Sequence, residues 1–303
     1  MSIDAYHVPV MLAECVEGLN IKPGGIYVDV TYGGGGHSKA IAGKLTTGRL
    51  IAFDRDADAI QSITTTNQKL IVIHSSFSNL TTELNRLNIT AVDGLLADLG
   101  VSSHQFDEAS RGFSFRFNSD LDMRMDNRDD VTAADILNTY SEEKLWKIFS
   151  LYGEIRNSKT VAKAIVNARH KTSIKTTFDL KAAVQNLVPA KDESKFYAQL
   201  FQALRIVVNS EMQELESLLT QLPAVIKHSG RLCIMSYHSL EDRMVKSFIA
   251  SGNISGEQEK DLYGNVTSKT FVATHKKAIE PQPEELTANP RSRSARLRIA
   301  EKI

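Results

Sequence analysis

The chain has 303 residues, and its 36 basic and 36 acidic side chains give a formal net charge of zero. This length predicts one elaborated domain with an insertion, and the balanced charge means that a nucleic-acid partner would have to bind through local charge. Two cysteines, Cys15 and Cys233, are too few for a disulfide framework or a cysteine zinc site. With no signal peptide or apolar run of membrane length, we expect a cytoplasmic protein without a membrane partner.

Short apolar runs of strand length alternate with helix-sized segments over the first hundred residues. Four strands rich in Val, Ile, Leu or Ala are predicted at 26–30, 49–53, 70–74 and 94–97. The helix-sized segments between them are 36–45, 57–68 and 77–87. Alternation of this kind predicts a parallel sheet with helices on both faces, the α/β class.

The alternation stops near residue 100. Helix-like stretches at 142–152 and 159–169 follow polar turns, and a long amphipathic segment at 195–222 precedes a fifth strand at 231–236. We therefore predict an inserted helical subdomain at 104–195, between strands four and five of a domain formed by 1–103 and 196–303.

The end of the chain predicts further strands at 269–274 and 294–300. No helix pattern separates them, which indicates an antiparallel hairpin at the sheet edge. The proline-rich segment 279–290 is a poor strand or helix former, so we expect a surface loop there.

A glycine-rich turn follows the first strand in the stretch DVTYGGGGH, from Asp29 to His37. Neither glycine register completes Gly-x-Gly-x-x-Gly, which disfavours a dinucleotide. Asp29 with Gly33 and Gly35 instead resembles the acid-x-x-x-Gly-x-Gly arrangement of class I S-adenosylmethionine (SAM) methyltransferases. Asp54, at the tip of the second strand, would accept hydrogen bonds from two ribose hydroxyls.

Two further polar stretches leave strand tips. Asp98 begins DLGVSS after the fourth strand, where methyltransferases of this fold place residues that face both the methyl donor and the acceptor atom. The stretch SYHSLEDR, from Ser236 to Arg243, follows the fifth strand. Open parallel sheets hold their substrates at this edge.

Local charge is concentrated in the insertion, where nine basic residues and two acidic ones lie between Lys144 and Lys181. The pattern is typical of a solvated helical face, and it also fits a surface that binds RNA phosphates. A second basic cluster, near the end of the chain, contains Arg291, Arg293, Arg296 and Arg298. Alternate strand positions would place the last two on one solvent face.

Nine stretches of the chain resemble the RsmH family, formerly MraW, the ribosomal RNA small subunit methyltransferases H. They occur in the family order from about His7 to the end: HVPVML, GGGGHS, FDRDADAI, LLADLGVSS, RGFSF, LDMRMD, FQALRIVVNSE, SYHSLEDRMVK and NPRSRSARLR. The resemblance implies a class I SAM-dependent methyltransferase with a Rossmann-like sheet. It also implies N4-methylation of a cytidine, position 1402, in the decoding region of 16S rRNA within the small ribosomal subunit.

The resemblance also implies site residues. Besides Gly33 of the turn, the expected SAM contacts are Gly35, Gly36, His37, Asp54, Phe77, Asp98 and Gln105. Phe77 would stack along the adenine. Asp98 or nearby backbone carbonyls would accept the amine protons of cytosine, and His238 or Glu241 would take up the released proton.

A base in rRNA must be splayed out to reach the methyl donor, so an aromatic platform is expected at Phe113, Phe115 or Tyr237. Arg124 and Arg243 are further substrate-binding candidates, no metal is required, and a monomer or homodimer is expected. The alternatives are a SAM-binding module that docks on RNA or protein without catalysis, and a methyltransferase with another substrate.

Overall fold

The structure is a computed structural model that describes residues 9–61, 68–189, 191–258, 261, 263 and 268–303. The chain forms two compact units. The first contains Met1–Gly100 and Met212–Ile303, and the second contains Val101–Glu211. Within the described ranges, no helix is long and apolar enough to cross a membrane.

The first unit contains a seven-stranded sheet in the order β3-β2-β1-β4-β5-β7-β6. The strands are β1 (Ile26–Asp29), β2 (Arg49–Asp54), β3 (Leu70–His74), β4 (Val92–Asp98), β5 (Ile226–Ser236), β6 (Phe271–Ala273) and β7 (Arg296–Lys302). Strands β1 to β5 are parallel, whereas β7 pairs antiparallel with both β5 and β6. The predicted parallel sheet and its antiparallel edge are confirmed.

The described α-helices take their labels in chain order. They are α1 (Leu12–Gly18), α2 (Gly36–Lys44), α3 (Ala57–Gln61), α4 (Leu80–Arg86), α5 (Ser103–Asp107), α6 (Ala133–Thr139), α7 (Glu142–Leu151), α8 (Ser158–Arg169), α9 (Thr177–Val184), α10 (Glu193–Val208), α11 (Glu211–Val225), α12 (Ser239–Ser251) and α13 (Pro283–Ala288). The predicted helix at 57–68 begins as α3, and residues 62–67 lie outside the described residues.

Helices cover both faces of the sheet because side chains alternate along each strand. Val28 and Ile51 point to a core shared with α4, α11 and α12, while Tyr27 and Leu50 point to a second core shared with α1 and α2. The central strands β1, β2 and β4 are therefore buried on both faces, which explains their continuous apolar runs.

The second unit has a separate hydrophobic core, formed mainly by α6 to α10. It ends at Glu211 rather than at residue 195, because α10 buries Phe196, Leu200 and Leu204 in this core. The segment predicted as one amphipathic stretch at 195–222 is two helices, α10 and α11, separated at Ser210, whose φ is +48°.

The segment predicted as a surface loop at 279–290 is partly ordered secondary structure. Ile279 pairs with Leu297 of β7, and α13 begins at Pro283. Proline is tolerated in the first turn of a helix because its missing N–H has no intrahelical partner there. The prolines thus set where the helix begins instead of preventing it.

Candidate functional site

Acidic strand ends meet at one edge of the sheet in the first unit. Asp29 of β1 lies beside Ala52 of β2 and Leu96 of β4, and Asp98 of β4 lies beside Met235 of β5. Parallel strands place their carboxyl ends at the same edge, so the predicted residues Asp54, Asp98 and Tyr237 come together there.

The glycine turn between β1 and α2 needs glycine for steric reasons. Gly35 has φ of +75°, and a Cβ there would lie 2.6 Å from the Tyr32 hydroxyl. At Gly36, a Cβ would lie 2.2 Å from Cγ of Pro9. Contacts within the protein therefore require glycine at these two positions, whereas at Gly33 the nearest atom to an added Cβ is the Thr31 carbonyl oxygen, 4.0 Å away, which leaves room for close approach by a ligand.

Asp54 is fixed by the backbone around it. One carboxylate oxygen accepts from the Gly33 N–H at 2.7 Å, and the other accepts from the Asp56 N–H at 2.9 Å. Burial raises the pKa of Asp54, although these two hydrogen bonds oppose the shift. Each oxygen retains capacity for a further hydrogen bond, so the carboxylate can still bind two ribose hydroxyls.

Beneath the turn, Asp29 connects three elements. It is fully buried and accepts from the Ser38 hydroxyl at 2.7 Å and from the Thr31 N–H at 3.1 Å. The Thr31 hydroxyl also accepts from the Asp98 N–H at 2.7 Å. Thr31 and Ser38 were not among the predicted site residues. Thr31 stands where a third glycine is common in this turn, and that departure is the signal in the sequence that points to it.

Asp98 is the central polar group at this edge. Its Oδ1 accepts from the Tyr237 hydroxyl at 2.8 Å, and its Oδ2 lies 3.8 Å from Nδ1 of His37. Burial raises the pKa of Asp98 to about 6, while His37 and the Tyr237 hydrogen bond oppose the shift. The Asp98 side chain remains 23% exposed, so a ligand can reach it.

His37 has a fixed orientation. Its Nε2 lies 3.0 Å from the Val10 carbonyl oxygen, which can only accept, so Nε2 carries a proton. In the neutral ring, Nδ1 is therefore the lone-pair nitrogen, and it faces Asp98. At 3.8 Å the two groups are neighbours without a hydrogen bond between them.

His238 and Glu241 form a buried turn at the start of α12. The Glu241 N–H donates to His238 Nδ1 at 3.4 Å, and His238 Nε2 lies 3.2 Å from Glu241 Oε1. Glu241 Oε2 accepts from the Tyr237 N–H at 3.0 Å. These contacts hold the backbone that carries Tyr237, and proton uptake by His238 or Glu241 stays a prediction.

The remaining candidates in the first unit are Phe77, which packs against the core, and Arg243, which lies on the surface. Phe77 begins a short 3-10 turn after β3, is partly buried, and packs against the core that contains β1, β2 and β4. Arg243 is exposed on α12. Adenine stacking by Phe77 and RNA binding by Arg243 stay predictions.

The other predicted ligands belong to the second unit and are described within it. Gln105 closes a capping box with Ser102, because its Oε1 accepts from the Ser102 N–H at 3.0 Å. Phe113 is 4% exposed and lies in the core, so its ring offers no free face for stacking. Phe115 is partly buried and packs against Tyr197 and Phe201.

Arg124 and the LDMRMD stretch are also held within the second unit. Arg124 binds Asp122 at 2.7 Å and donates to the Asp129 carbonyl oxygen. Asn209 donates to the Met123 carbonyl oxygen at 2.8 Å and accepts from the Met125 N–H at 2.7 Å. The stretch is thus positioned by Asn209 of FQALRIVVNSE, a structural role that the sequence analysis missed.

Arg296 and Arg298 do not form a free basic surface. Arg298 donates to Asp242 of α12 at 2.7 Å and 3.0 Å, and Arg296 lies 3.4 Å from the same carboxylate. The two arginines share one face, as predicted, and Arg296 stays 51% exposed, but on that face they link β7 to α12. They lower the pKa of Asp242 against the effect of burial.

A sequence model of the MraW methylase family matches residues 4–303. The chain belongs to the MraW methylase family. Its curated relatives include proteins named ribosomal RNA small subunit methyltransferase H. The one from Cytophaga hutchinsonii is 53% identical over 98% of this chain and 99% of its own length. Those from Phocaeicola vulgatus and Bacteroides thetaiotaomicron are 51% and 50% identical, over 98% of this chain and 97% of theirs.

Membership of the MraW methylase family confirms the resemblance inferred from the sequence motifs. Together with the sheet order and its antiparallel β7, it identifies a class I SAM-dependent methyltransferase fold. Asp54 and Asp98 then occupy the strand ends at which this fold binds its cofactor and substrate.

Proposed function

We propose that this chain transfers the methyl group of SAM to the exocyclic N4 of a cytidine, position 1402, in the decoding region of 16S rRNA. The curated relatives are named for small-subunit ribosomal RNA, which supports an rRNA substrate. The observation that carries the proposal is Asp98, an accessible carboxylate held by Tyr237 beside the glycine turn.

The described residues fit SAM as a cofactor. The side-chain-free turn from Gly33 to Gly36 permits close approach by its methionine and ribose, and Asp54 has acceptor capacity for the ribose hydroxyls. When bound, SAM supplies an electrophilic methyl group on a sulfonium. Every other requirement of the reaction falls on the protein, chiefly on the orientation of the amine.

Cytosine N4 is a weak nucleophile because its lone pair is delocalised into the ring. The protein must hold N4 roughly 3 to 3.5 Å from the methyl carbon and in line with the bond that breaks. A hydrogen bond from the amine to ionised Asp98 localises the lone pair on nitrogen. Oδ1 of Asp98 already accepts from the Tyr237 hydroxyl. Oδ2 has fewer contacts and is therefore the oxygen that would accept from the amine.

Methyl transfer leaves N4 with a positive charge and a proton to lose. Asp98 accepts that proton, while Nδ1 of His37 faces the carboxylate from 3.8 Å without a hydrogen bond to it. Asp98 is thus the proton acceptor in this proposal.

The basic region of the second unit supports an RNA partner. Some of its cations make contacts within the protein and are not counted for RNA binding. Arg169 donates to the carbonyl oxygens of Leu137 and Tyr140, and Lys147 pairs with Glu143. Other cations in the region are exposed: Arg156, Lys163, Lys171 and Lys175. Exposed cations of this kind attract phosphates by releasing counterions from RNA.

The test is nuclease digestion and mass spectrometry of small-subunit rRNA from cells that lack this protein. We expect N4-methylcytidine to be lost from the decoding region and to be restored by the wild-type gene but not by Asp98→Asn. Unchanged N4-methylcytidine would refute the assignment. If purified protein bound SAM but transferred no methyl group to unmethylated small subunits, the binding module without catalysis would be favoured instead.

A further inference from the structure

The second unit has a surface groove that the reaction described above does not use. It lies between α9 and the start of α10, has a volume of about 590 Å³, and is called here the α9–α10 groove. Its lining residues are Phe178, Lys181, Ala182, Gln185, Val188, Glu193 and Tyr197. This volume is typical of a site for a small organic group.

Aromatic rings and a cation are combined in this groove. Phe178 is 45% exposed, whereas Tyr197 is buried and forms the inner wall. Nζ of Lys181 lies 5.4 Å from the ring centroid of Phe178 and 4.9 Å from that of Tyr197. The exposed ring of Phe178 can therefore accept a planar group beside a fixed positive charge.

Polar groups in the groove match the edge of a nucleobase. Phe178, Lys181 and Gln185 are spaced by three and four residues, so they share one side of α9 and its 3-10 extension. Gln185 offers an amide donor and acceptor, Lys181 offers a donor for a base carbonyl, and Glu193 offers an acceptor for an exocyclic amine.

The cations around the groove favour RNA over an apolar protein segment, and its exposed aromatic ring favours RNA over an acidic one. Lys175 precedes α9 and Lys195 lies in the first turn of α10, and both are exposed. These cations can contact phosphates, while the mixed polar and aromatic lining suits the base itself. Unpaired bases are recognised by this combination of stacking and edge contacts.

We propose that the α9–α10 groove binds an unpaired nucleobase of the RNA substrate, other than the methylated cytidine, by stacking it on Phe178 beside Lys181. This inference rests on the proposed function for the identity of the RNA. It assigns to the insertion an anchoring site for RNA that is separate from methyl transfer.

The test compares binding of purified variants to small ribosomal subunits isolated from cells that lack this protein. Phe178→Leu keeps an apolar side chain but removes the stacking face, and we expect the Kd to rise about tenfold. Phe178→Tyr should stay within about twofold of wild type because it retains the ring. Phe117→Leu is the matched control, since Phe117 is 47% exposed in the same unit but does not line the groove.

Ultraviolet cross-linking of the wild-type protein to the same subunits provides a second measurement that needs no variant. Trypsin releases residues 176–181 as one peptide that contains Phe178, and we expect an RNA adduct on it. Adducts elsewhere on the protein, with none on this peptide, would contradict the proposal. So would wild-type affinity of Phe178→Leu for the subunits, or a cross-link from this peptide to a ribosomal protein in place of RNA.

The two proposals can fail separately. If Phe178→Leu weakens binding to the subunit but the wild-type protein makes no N4-methylcytidine, the groove assignment stands and the proposed reaction fails. If both proteins make N4-methylcytidine with the same KM for the subunit, the reaction stands and the groove assignment fails.

Discussion

At the scale of single residues, Asp98 shows how neighbours determine what a carboxyl group can do. Asp29, Asp54 and Asp98 all end strands of one sheet, yet each has different partners. Asp29 supports the turn, Asp54 keeps acceptor capacity, and Asp98 has its pKa raised to about 6 by burial. The sequence predicted acids at these tips, but the assignment of Asp29 to support required the contact with Ser38.

The pKa of Asp98 predicts an acidic limb in the pH profile of methyl transfer. Activity should fall as the pH drops through about 6, because protonated Asp98 no longer accepts a hydrogen bond from the amine. Asp98→Asn should lower kcat by about 100-fold or more and remove this limb. Single-turnover rates from pH 5 to 8 measure both effects, and a variant with wild-type turnover would exclude Asp98 as the acceptor.

The contribution of Asp98 to folding stability should decrease as the pH rises, whereas activity should increase. Burial raises the pKa of Asp98 from its ordinary value of 3.8 to about 6 in the folded state, so the folded protein binds this proton more tightly. The resulting contribution to stability is full below pH 3.8 and is lost as the pH rises through about 6. Asp98→Asn should therefore raise Tm at pH 7, relative to wild type, more than it does at pH 4, as thermal unfolding at both pH values can show.

Tyr237 is expected to act through Asp98 and not only as a stacking platform. Tyr237→Phe removes a hydrogen bond that lowers the pKa of Asp98, so the acidic limb should move to higher pH and kcat at neutral pH should fall. The control is Tyr27→Phe, which removes a hydroxyl bonded to the Lys22 N–H. That variant should lose stability and keep the wild-type pH profile, and an unshifted limb in Tyr237→Phe would contradict the role.

At the scale of elements, α2 shows why two glycines of one helix have different functions. A Cβ on Gly36 would lie 2.2 Å from Pro9, whereas a Cβ on Gly43 would meet no atom within 4 Å. The sequence places Gly36 in the binding turn through its motif. Glycine is required at this position because Pro9 packs against it. That is a tertiary contact, and the local sequence pattern does not encode it.

Substituting Gly36 and Gly43 separately gives a matched test of the steric role of the turn. Gly36→Ala should displace the segment that contains Pro9 and weaken SAM binding by about tenfold or more, since misplacement at a binding turn is costly. Gly43→Ala should stabilise the protein by about 0.5 to 1 kcal/mol and leave SAM affinity unchanged. Isothermal titration and thermal unfolding separate the two effects; equal SAM affinity in both variants would refute the steric role of Gly36.

Local pattern predicted most elements and missed those that depend on distant partners. Strands β1, β2 and β4 were recognisable because both faces are buried, so their residues are mostly apolar. The exposed residues 227–229 of β5 hid its first half, and the strand was predicted only from 231. In contrast, α13 was missed because its prolines read as helix breakers, although Pro283 stands where proline is tolerated. The positioning of LDMRMD by Asn209 joins residues more than eighty positions apart, and periodicity carries no record of such a contact.

At the scale of the whole molecule, zero net charge conceals a local excess of cations in the second unit. The sequence located this excess correctly, but it could not separate exposed cations from those used internally. Arg169 binds backbone carbonyl oxygens, and Arg298 binds Asp242. Exposed lysines such as Lys163, Lys171 and Lys175 remain as candidate phosphate ligands.

Neutralising these three lysines together should make RNA binding less sensitive to salt. If each contacts a phosphate, the slope of log K against log salt should become shallower by about 2 in Lys163→Gln/Lys171→Gln/Lys175→Gln. Lys227→Gln, which removes a cation paired with Asp93 in the first unit, should leave the slope unchanged. Filter binding to small subunits across a salt series measures the slope, and equal slopes would exclude a phosphate role for these lysines.

The hydroxyl of Thr31 joins Asp29 to the backbone of Asp98, so the cofactor turn and the proton acceptor belong to one connected network. We expect an ionised Asp98, whose pKa is near 6, to attract the positively charged sulfur of the donor more strongly than the neutral sulfur of the product. Affinity for a sulfonium should therefore increase with pH through this range, whereas affinity for the thioether S-adenosylhomocysteine should not. The carboxyl proposed as the proton acceptor would then also favour replacement of spent product by fresh donor.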